Sequence, residues 1–177
     1  MTITTQLTTI STSEWVGTVR LNHTVLTAQA HSIAATAHAG VRRTAGDVYL
    51  DHPLRVAQRL QRAGLGEAVI AAAVLHDVLE DSPLGAGDLL ALGIPVDIVQ
   101  AVVAVSKRES ERYSDLVARA AADPIGRWVK ASDVLDNSSD AQLAPLPEPK
   151  RTRVEMKYRS ALTVLGSVVD VQALAAA

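Results

Sequence analysis

The sequence predicts an all-α fold, a single helical bundle, and three observations carry that expectation. Apolar residues recur at three- and four-residue spacing along most of the chain. Capping and breaking residues sit at the ends of those periodic stretches, with Asp, Ser or Pro at the starts and Gly at several ends. Alternating runs closed by hairpin-type turns, the mark of strands, are scarce.

The elements follow in order. Residues 1–20 are rich in Thr and Ser and are expected to form an N-terminal arm, with the folded domain spanning 21–177. Thr24 to Ala39 has helical spacing and stops at Gly40. Asp51 is placed to cap a second helix, with Pro53 in its first turn and Gly64 at its close. Glu67 to Leu79 is almost uniformly apolar and reads as one buried central helix. Pro83, Gly85 and Gly87 break it, and a short helix is expected at Asp88–Leu92. Pro95 opens a helix to about Val105, and further helices are expected at Ser110–Ala122, Pro124–Asn137 and Glu148–Leu165.

Composition narrows the function. A length of 177 residues fits one domain, and 48% hydrophobic residues suffice for a core. That core must be aliphatic, because Phe is absent and aromatic residues make up only 3%. A net charge of −2 argues against a general nucleic-acid binder, which would present a basic face. Zero Cys excludes disulfides, thiolate catalysis and Cys-based zinc sites, and fits a cytoplasmic setting. The longest clean apolar run, Ala68 to Leu75, is far below the about 18–20 residues of a membrane span, and no signal peptide is visible.

Chemistry concentrates at His52, at the pair His76-Asp77 and at Asp133. A His-Asp pair in the most apolar helix is costly unless both groups are satisfied, and a metal ion satisfies them. Two imidazoles and two carboxylates suit a six-coordinate ion with open positions, Mn²⁺ or Fe²⁺ ahead of Zn²⁺ or Mg²⁺. Glu80 and Asp81 lie one helical turn beyond His76 and Asp77, placed to orient or deprotonate a water held by the ion. Alone, the dipeptide is weak evidence; the run His76-Asp77-Val78-Leu79-Glu80-Asp81 is stronger, since a solvated helix end explains Glu80 and Asp81 but not the pair before them.

Two stretches add substrate contacts. Arg42-Arg43-Thr44 opens a Gly-containing loop that leads directly to His52, a candidate phosphate grip. Lys130, Asp133 and Asn137 share one helix face and suit a metal together with an anionic, hydroxyl-bearing substrate. Asp136 is a candidate partner for an imidazole or an Arg. Lys107 could add positive charge, whereas Arg108 and Arg112 are expected to be solvated.

These residues resemble the HD superfamily of metal-dependent phosphohydrolases. Arg43 to Leu54 is similar to the arginine-lysine-serine-glycine…tyrosine…histidine-proline-leucine stretch of the RelA/SpoT hydrolase domain, and His76 to Asp81 to its HDxxED motif. Val105-Ser106-Lys107-Arg108, Lys130 to Asn137 and Lys157 to Leu162 resemble later segments of short, stand-alone members. The resemblance implies a single HD-domain helical bundle that hydrolyses the 3′-pyrophosphate of (p)ppGpp, usually with Mn²⁺. It implies His52, His76, Asp77 and Asp133 as metal ligands, Glu80 and Asp81 as catalytic carboxylates, and Arg43 and Asn137 as substrate contacts. The sequence departs from the family where Thr44 replaces a lysine and where Val134 and Asp136 replace an arginine and a histidine. Those departures bear on base and ribose recognition. They keep two other readings open, an HD phosphohydrolase acting on another nucleotide or an NADPH-like phosphate, and a nucleotide-binding module without turnover. Pyrophosphate release, orthophosphate release or binding alone separates the three.

Overall fold

The computed structural model describes residues 24–39 and 50–177, and all regular structure there is helical. In chain order the helices are α1 (Val25–Ala37), α2 (Asp51–Arg62), α3 (Glu67–Leu75), α4 (Val78–Asp81), α5 (Ala86–Ala91), α6 (Val96–Val105), α7 (Tyr113–Ala122), α8 (Gly126–Asn137), α9 (Asp140–Leu143), α10 (Lys150–Leu165) and α11 (Val171–Ala176). Among the described residues no helix is long and apolar enough to cross a membrane. The expected arm at 1–20 and the Arg42-Arg43-Thr44 loop lie outside the described residues.

α3 occupies the centre, packed against α1, α2, α6 and α8. Six consecutive residues, Ile70 to Leu75, are buried. A helix that is apolar all round needs partners on every side, and α3 has them. Ala71, Ala72 and Ala73 keep the axis thin, so Val56, Leu60, Ile98 and Val102 from the surrounding helices can close on it. A core without Phe thus reaches density by bringing backbones together.

Local signals set the ends of these helices. Thr24 caps α1 by accepting from Thr27 N–H at 3.2 Å. Gly64 (φ 79°) and Gly93 (φ 86°) take the left-handed conformation just beyond α2 and α5. The next residues then bond back, Leu65 N–H to Leu60 C=O at 3.1 Å and Ile94 N–H to Leu89 C=O at 3.0 Å. Asp51 proves to be the first residue of α2 rather than its cap, which is Leu50. α9 was not expected from the sequence, being too short for a periodic signal.

The largest departure is in the central helix. The expected single helix to Leu79 is two, α3 and α4, parted at His76 and Asp77. Asp77 takes φ −93° and ψ −8°, at the edge of the helical region, and the regular helix is interrupted there. His76, Asp77, Glu80 and Asp81 therefore do not line one side of a continuous helix.

α8 is the other organising element and touches α2, α3, α6, α7, α10 and α11. It carries Val129, Ala131 and Val134 into the core together with four buried polar residues, Lys130, Ser132, Asp133 and Asp136. Truncating Leu60, fully buried between α2 and its neighbours, should cost about 2–5 kcal/mol on Leu60→Ala. Urea denaturation followed by circular dichroism measures it.

Candidate metal centre

Each buried polar group of α8 has a partner that sets the geometry of the site. Asp133 receives Lys130 Nζ on one oxygen at 2.8 Å and Asn137 Nδ2 on the other at 2.5 Å. Burial opposes its charge, but Lys130, His52 and His76 hold its carboxyl well below the usual carboxylate range. Ser132 donates to Val56 C=O at 2.9 Å, and Arg59 donates to Ser132 C=O at 3.1 Å, fixing α8 against α2.

Asp136 accepts from both kinds of partner anticipated for it. Its Oδ2 lies 2.7 Å from His52 Nδ1, and Arg55 reaches both oxygens at 3.0 Å. Burial works against its ionisation, yet these hydrogen bonds bring its pKa down to about 2. A carboxylate that accepts at Nδ1 leaves Nε2 of the same ring facing inward. His52 Nε2 is 3.2 Å from Asp133 Oδ1 and 3.8 Å from Asp77 Oδ2.

His76 is oriented by its own backbone. Its Nδ1 lies 2.8 Å from Ala73 C=O, and since a carbonyl only accepts, Nδ1 carries a proton and Nε2 is the nitrogen that offers the lone pair when the ring is neutral. That Nε2 is buried and has no hydrogen-bond partner among the described residues, although Asp77 Oδ1 stands at 3.1 Å and Asp133 Oδ1 at 3.8 Å. The two imidazole rings meet edge to face with centroids 5.2 Å apart. One ligand atom from each of His52, His76 and Asp77 falls within 4.8 Å of the others, a spacing suited to one cation. An orphaned imidazole nitrogen among carboxylate oxygens is costly in a dry site and natural around a divalent ion, so the residues fit a metal.

All four expected metal ligands thus meet in one place, brought from α2, the α3–α4 turn and α8. Glu80 lies beside them. Its carboxyl accepts Lys107 N–H at 2.8 Å; partial burial raises its pKa, against the pull of that hydrogen bond. Asp81 sits on the exposed end of α4. Lys130 and Asn137, expected to contact substrate, are engaged with Asp133. Arg43 and Thr44 lie outside the described residues. Arg112 pairs with Asp115 on the surface, as a solvated charge would.

Sequence reasoning missed three contributors. Arg55, one turn after His52, belongs to no motif in the sequence. His38, at the end of α1, is buried near Asp77 and Asp81, and burial lowers its pKa. Arg119 of α7 donates to Val103 C=O at 2.6 Å, to Ser106 C=O at 2.8 Å and to both oxygens of Glu111. Glu111 also accepts Arg108 N–H at 3.0 Å, so the residues on either side of Lys107 are tied down. No local motif marks that clamp; only the approach of α7 to the end of α6 creates it.

The HD domain family model matches residues 30–134, more than half of the chain. The chain belongs to the HD-domain family. Among relatives, a GTP pyrophosphokinase of Streptomyces antibioticus is 31% identical over 144 residues, 77% of this chain and 16% of that protein. A guanosine-3′,5′-bis(diphosphate) 3′-pyrophosphohydrolase of Aquifex aeolicus is 34% identical over 116 residues, 62% of this chain and 17% of that protein. The HD-domain chain therefore spans about one sixth of the length of these relatives. A solved structure described as a metazoan ortholog of SpoT that hydrolyzes ppGpp superposes with a TM-score of 0.74 at 23% identity, over 89% of this chain and 95% of that one. At that identity the likeness concerns the fold, and it confirms the HD-type helical bundle.

Two expectations follow from the geometry. Burial disfavours charge on His52, but its hydrogen bonds to Asp133 and Asp136 and the charge of Asp77 outweigh it, raising the metal-free pKa to about 9. A metal ion must displace that proton from Nε2. Divalent-metal affinity should thus strengthen by about tenfold per pH unit on approach to pH 9 and level off above it, read by chelator competition. Removing the clamp with Arg119→Gln should speed amide hydrogen exchange across residues 106–111 by at least about tenfold, while exchange in α3 stays unchanged.

Proposed function

We propose that this chain hydrolyses the 3′-pyrophosphate of (p)ppGpp, releasing GDP or GTP and pyrophosphate, with Mn²⁺ as its metal. The observation that carries the reading is the group of His52, His76 and Asp77, with Asp133 Oδ1 3.2 Å from His52 Nε2, in which the buried His76 Nε2 has no hydrogen-bond partner among the described residues. Support for the substrate comes from the names of the relatives and from the Arg-loop and HDxxED resemblance. The ligand set, two imidazole nitrogens and two carboxylates, favours Mn²⁺ by donor type.

His52, His76, Asp77 and Asp133 would hold the ion. When bound, the ion supplies positive charge beside the phosphoanhydride and lowers the pKa of a water. Glu80, held by Lys107 N–H and with its pKa raised by partial burial, takes the proton of the attacking water. The water oxygen bonds to the phosphorus attached to the ribose 3′ oxygen, that P–O bond breaks, and the 3′ oxygen takes up a proton. Asp81, next to Glu80, shares this proton traffic. Lys130 and Asn137 fix Asp133 and border the substrate, while Arg43 and Thr44 contact its pyrophosphate. Such a reaction on a free nucleotide places the protein in the cytoplasm and calls for no nucleic-acid partner.

The test is incubation of Mn²⁺-loaded protein with ppGpp, reading pyrophosphate against orthophosphate. Pyrophosphate release supports the reading; orthophosphate release or no product overturns it. In the same assay Asp77→Ala should lose both metal and turnover. Glu80→Gln should retain the metal and fall about 10²–10⁴-fold in rate.

A further inference from the structure

The two tyrosines of α7 and α10, Tyr113 and Tyr158, meet edge to face with ring centroids 6.4 Å apart. Over both of them sits one ammonium: Lys157 Nζ is 4.6 Å from the centre of the Tyr113 ring and 4.3 Å from that of Tyr158. Lys130 Nζ approaches the same Tyr113 ring at 5.8 Å. Two cations therefore share one aromatic face-pair at the edge of the metal centre, where Lys130 binds Asp133 at 2.8 Å. Lys107, whose N–H holds Glu80, is a third cation within electrostatic reach of Lys157.

Asp133 and Glu80 bring negative charge to this corner, yet neither forms an ion pair with Lys157. Asp133 is already met by Lys130, His52 and Asn137. Among the described residues no carboxylate comes within ion-pair distance of Lys157. Partial burial and the neighbouring Lys130 and Lys107 all work against its charge, with only Asp133 opposing. Ring faces stabilise an ammonium modestly and fix its position, but they accept no conventional hydrogen bond, and its N–H donors stay open to an anion. Like charges gathered beside a catalytic cluster are relieved by an anion that accepts from several of them at once.

We propose that Lys157, steadied by Tyr113 and Tyr158 and flanked by Lys107 and Lys130, is an anion subsite that binds a phosphate or pyrophosphate group of the substrate. The proposal rests on the hydrolase reading above and adds a residue to it. Lys157 serves binding and takes no part in proton transfer. Its side chain is partly exposed on α10 and is not among the core residues, so its replacement leaves the core untouched. The ligand chemistry is a multiply charged phosphate, whether on the intact nucleotide or as released pyrophosphate.

The experiment compares the full-length, Mn²⁺-loaded wild type with Lys157→Met and Lys157→Arg. For ppGpp hydrolysis, Lys157→Met should raise KM about tenfold with kcat within about twofold, and Lys157→Arg should recover most of the loss. Calorimetric binding of inorganic pyrophosphate to the same metal-loaded proteins should weaken by a similar factor in Lys157→Met. Equal KM and equal pyrophosphate affinity in wild type and Lys157→Met would overturn the subsite while leaving the hydrolase reading intact. A wild type that does not turn over ppGpp, yet binds pyrophosphate more tightly than Lys157→Met does, would overturn the substrate and keep the subsite. Absence of pyrophosphate binding by the metal-loaded wild type would overturn the subsite as well. A fall in kcat alone would count against it, since that marks a group acting on the chemical step.

Discussion

Asp133 is buried in the middle of a helical bundle and must stay charged there, and much of the architecture answers that demand. An isolated carboxylate in such a place would be protonated or would unfold its surroundings. Lys130 and Asn137 come from the same helix, one turn before and after, so α8 supplies its own neutralising donors. His52 comes from α2, and it in turn is held from behind by Asp136, again of α8. α2 and α8 are thereby joined through a charged seam, with Arg55 and Arg59 closing its outer edge on Asp136 and on Ser132 C=O. Each carboxylate of the seam is held from more than one side, Asp133 by Lys130, Asn137 and His52 and Asp136 by His52 and Arg55, which ties the two helices into one unit.

The thin alanine axis of α3 serves the same site from the other side. Ala71, Ala72 and Ala73 let α2 and α8 approach closely, and the helix ends where His76 must turn its Nε2 toward them. Ala73 contributes twice, by being small and by offering the carbonyl that fixes the His76 ring. The break at Asp77 then settles a difficulty inherent in a His-Asp dipeptide, whose side chains would diverge by about 100° on a regular helix. With ψ near zero at Asp77, both residues reach His52.

The departures from the family pattern acquire different meanings once the fold is known. Asp136, standing where the resemblance predicts a histidine, accepts from His52 and pairs with Arg55, and so helps to build the candidate metal centre. Val134 is fully buried in the core, where an arginine's charge would lack solvent. The rings of Tyr113 and Tyr158 are met by ammonium groups from Lys157 and Lys130. The corner they form is suited to anions more than to rings.

Much of this was determined by sequence alone. Helical periodicity, caps and the absence of strand patterns gave the all-α class, because those signals are local. His52, His76-Asp77 and Asp133 could be singled out because polar residues in apolar helices demand partners. Tertiary structure decided what local signals cannot encode. It split the central helix, because the dihedral change at Asp77 depends on what His76 and Asp77 must face. It placed Arg119 across the end of α6, Arg55 on Asp136 and Lys157 over two rings, contacts between residues many positions apart or on different helices. Arg55 and Arg119 belong to no sequence motif, and although Lys157 opens a segment that resembles the family, only the packing of one helix against another gives these three the partners described.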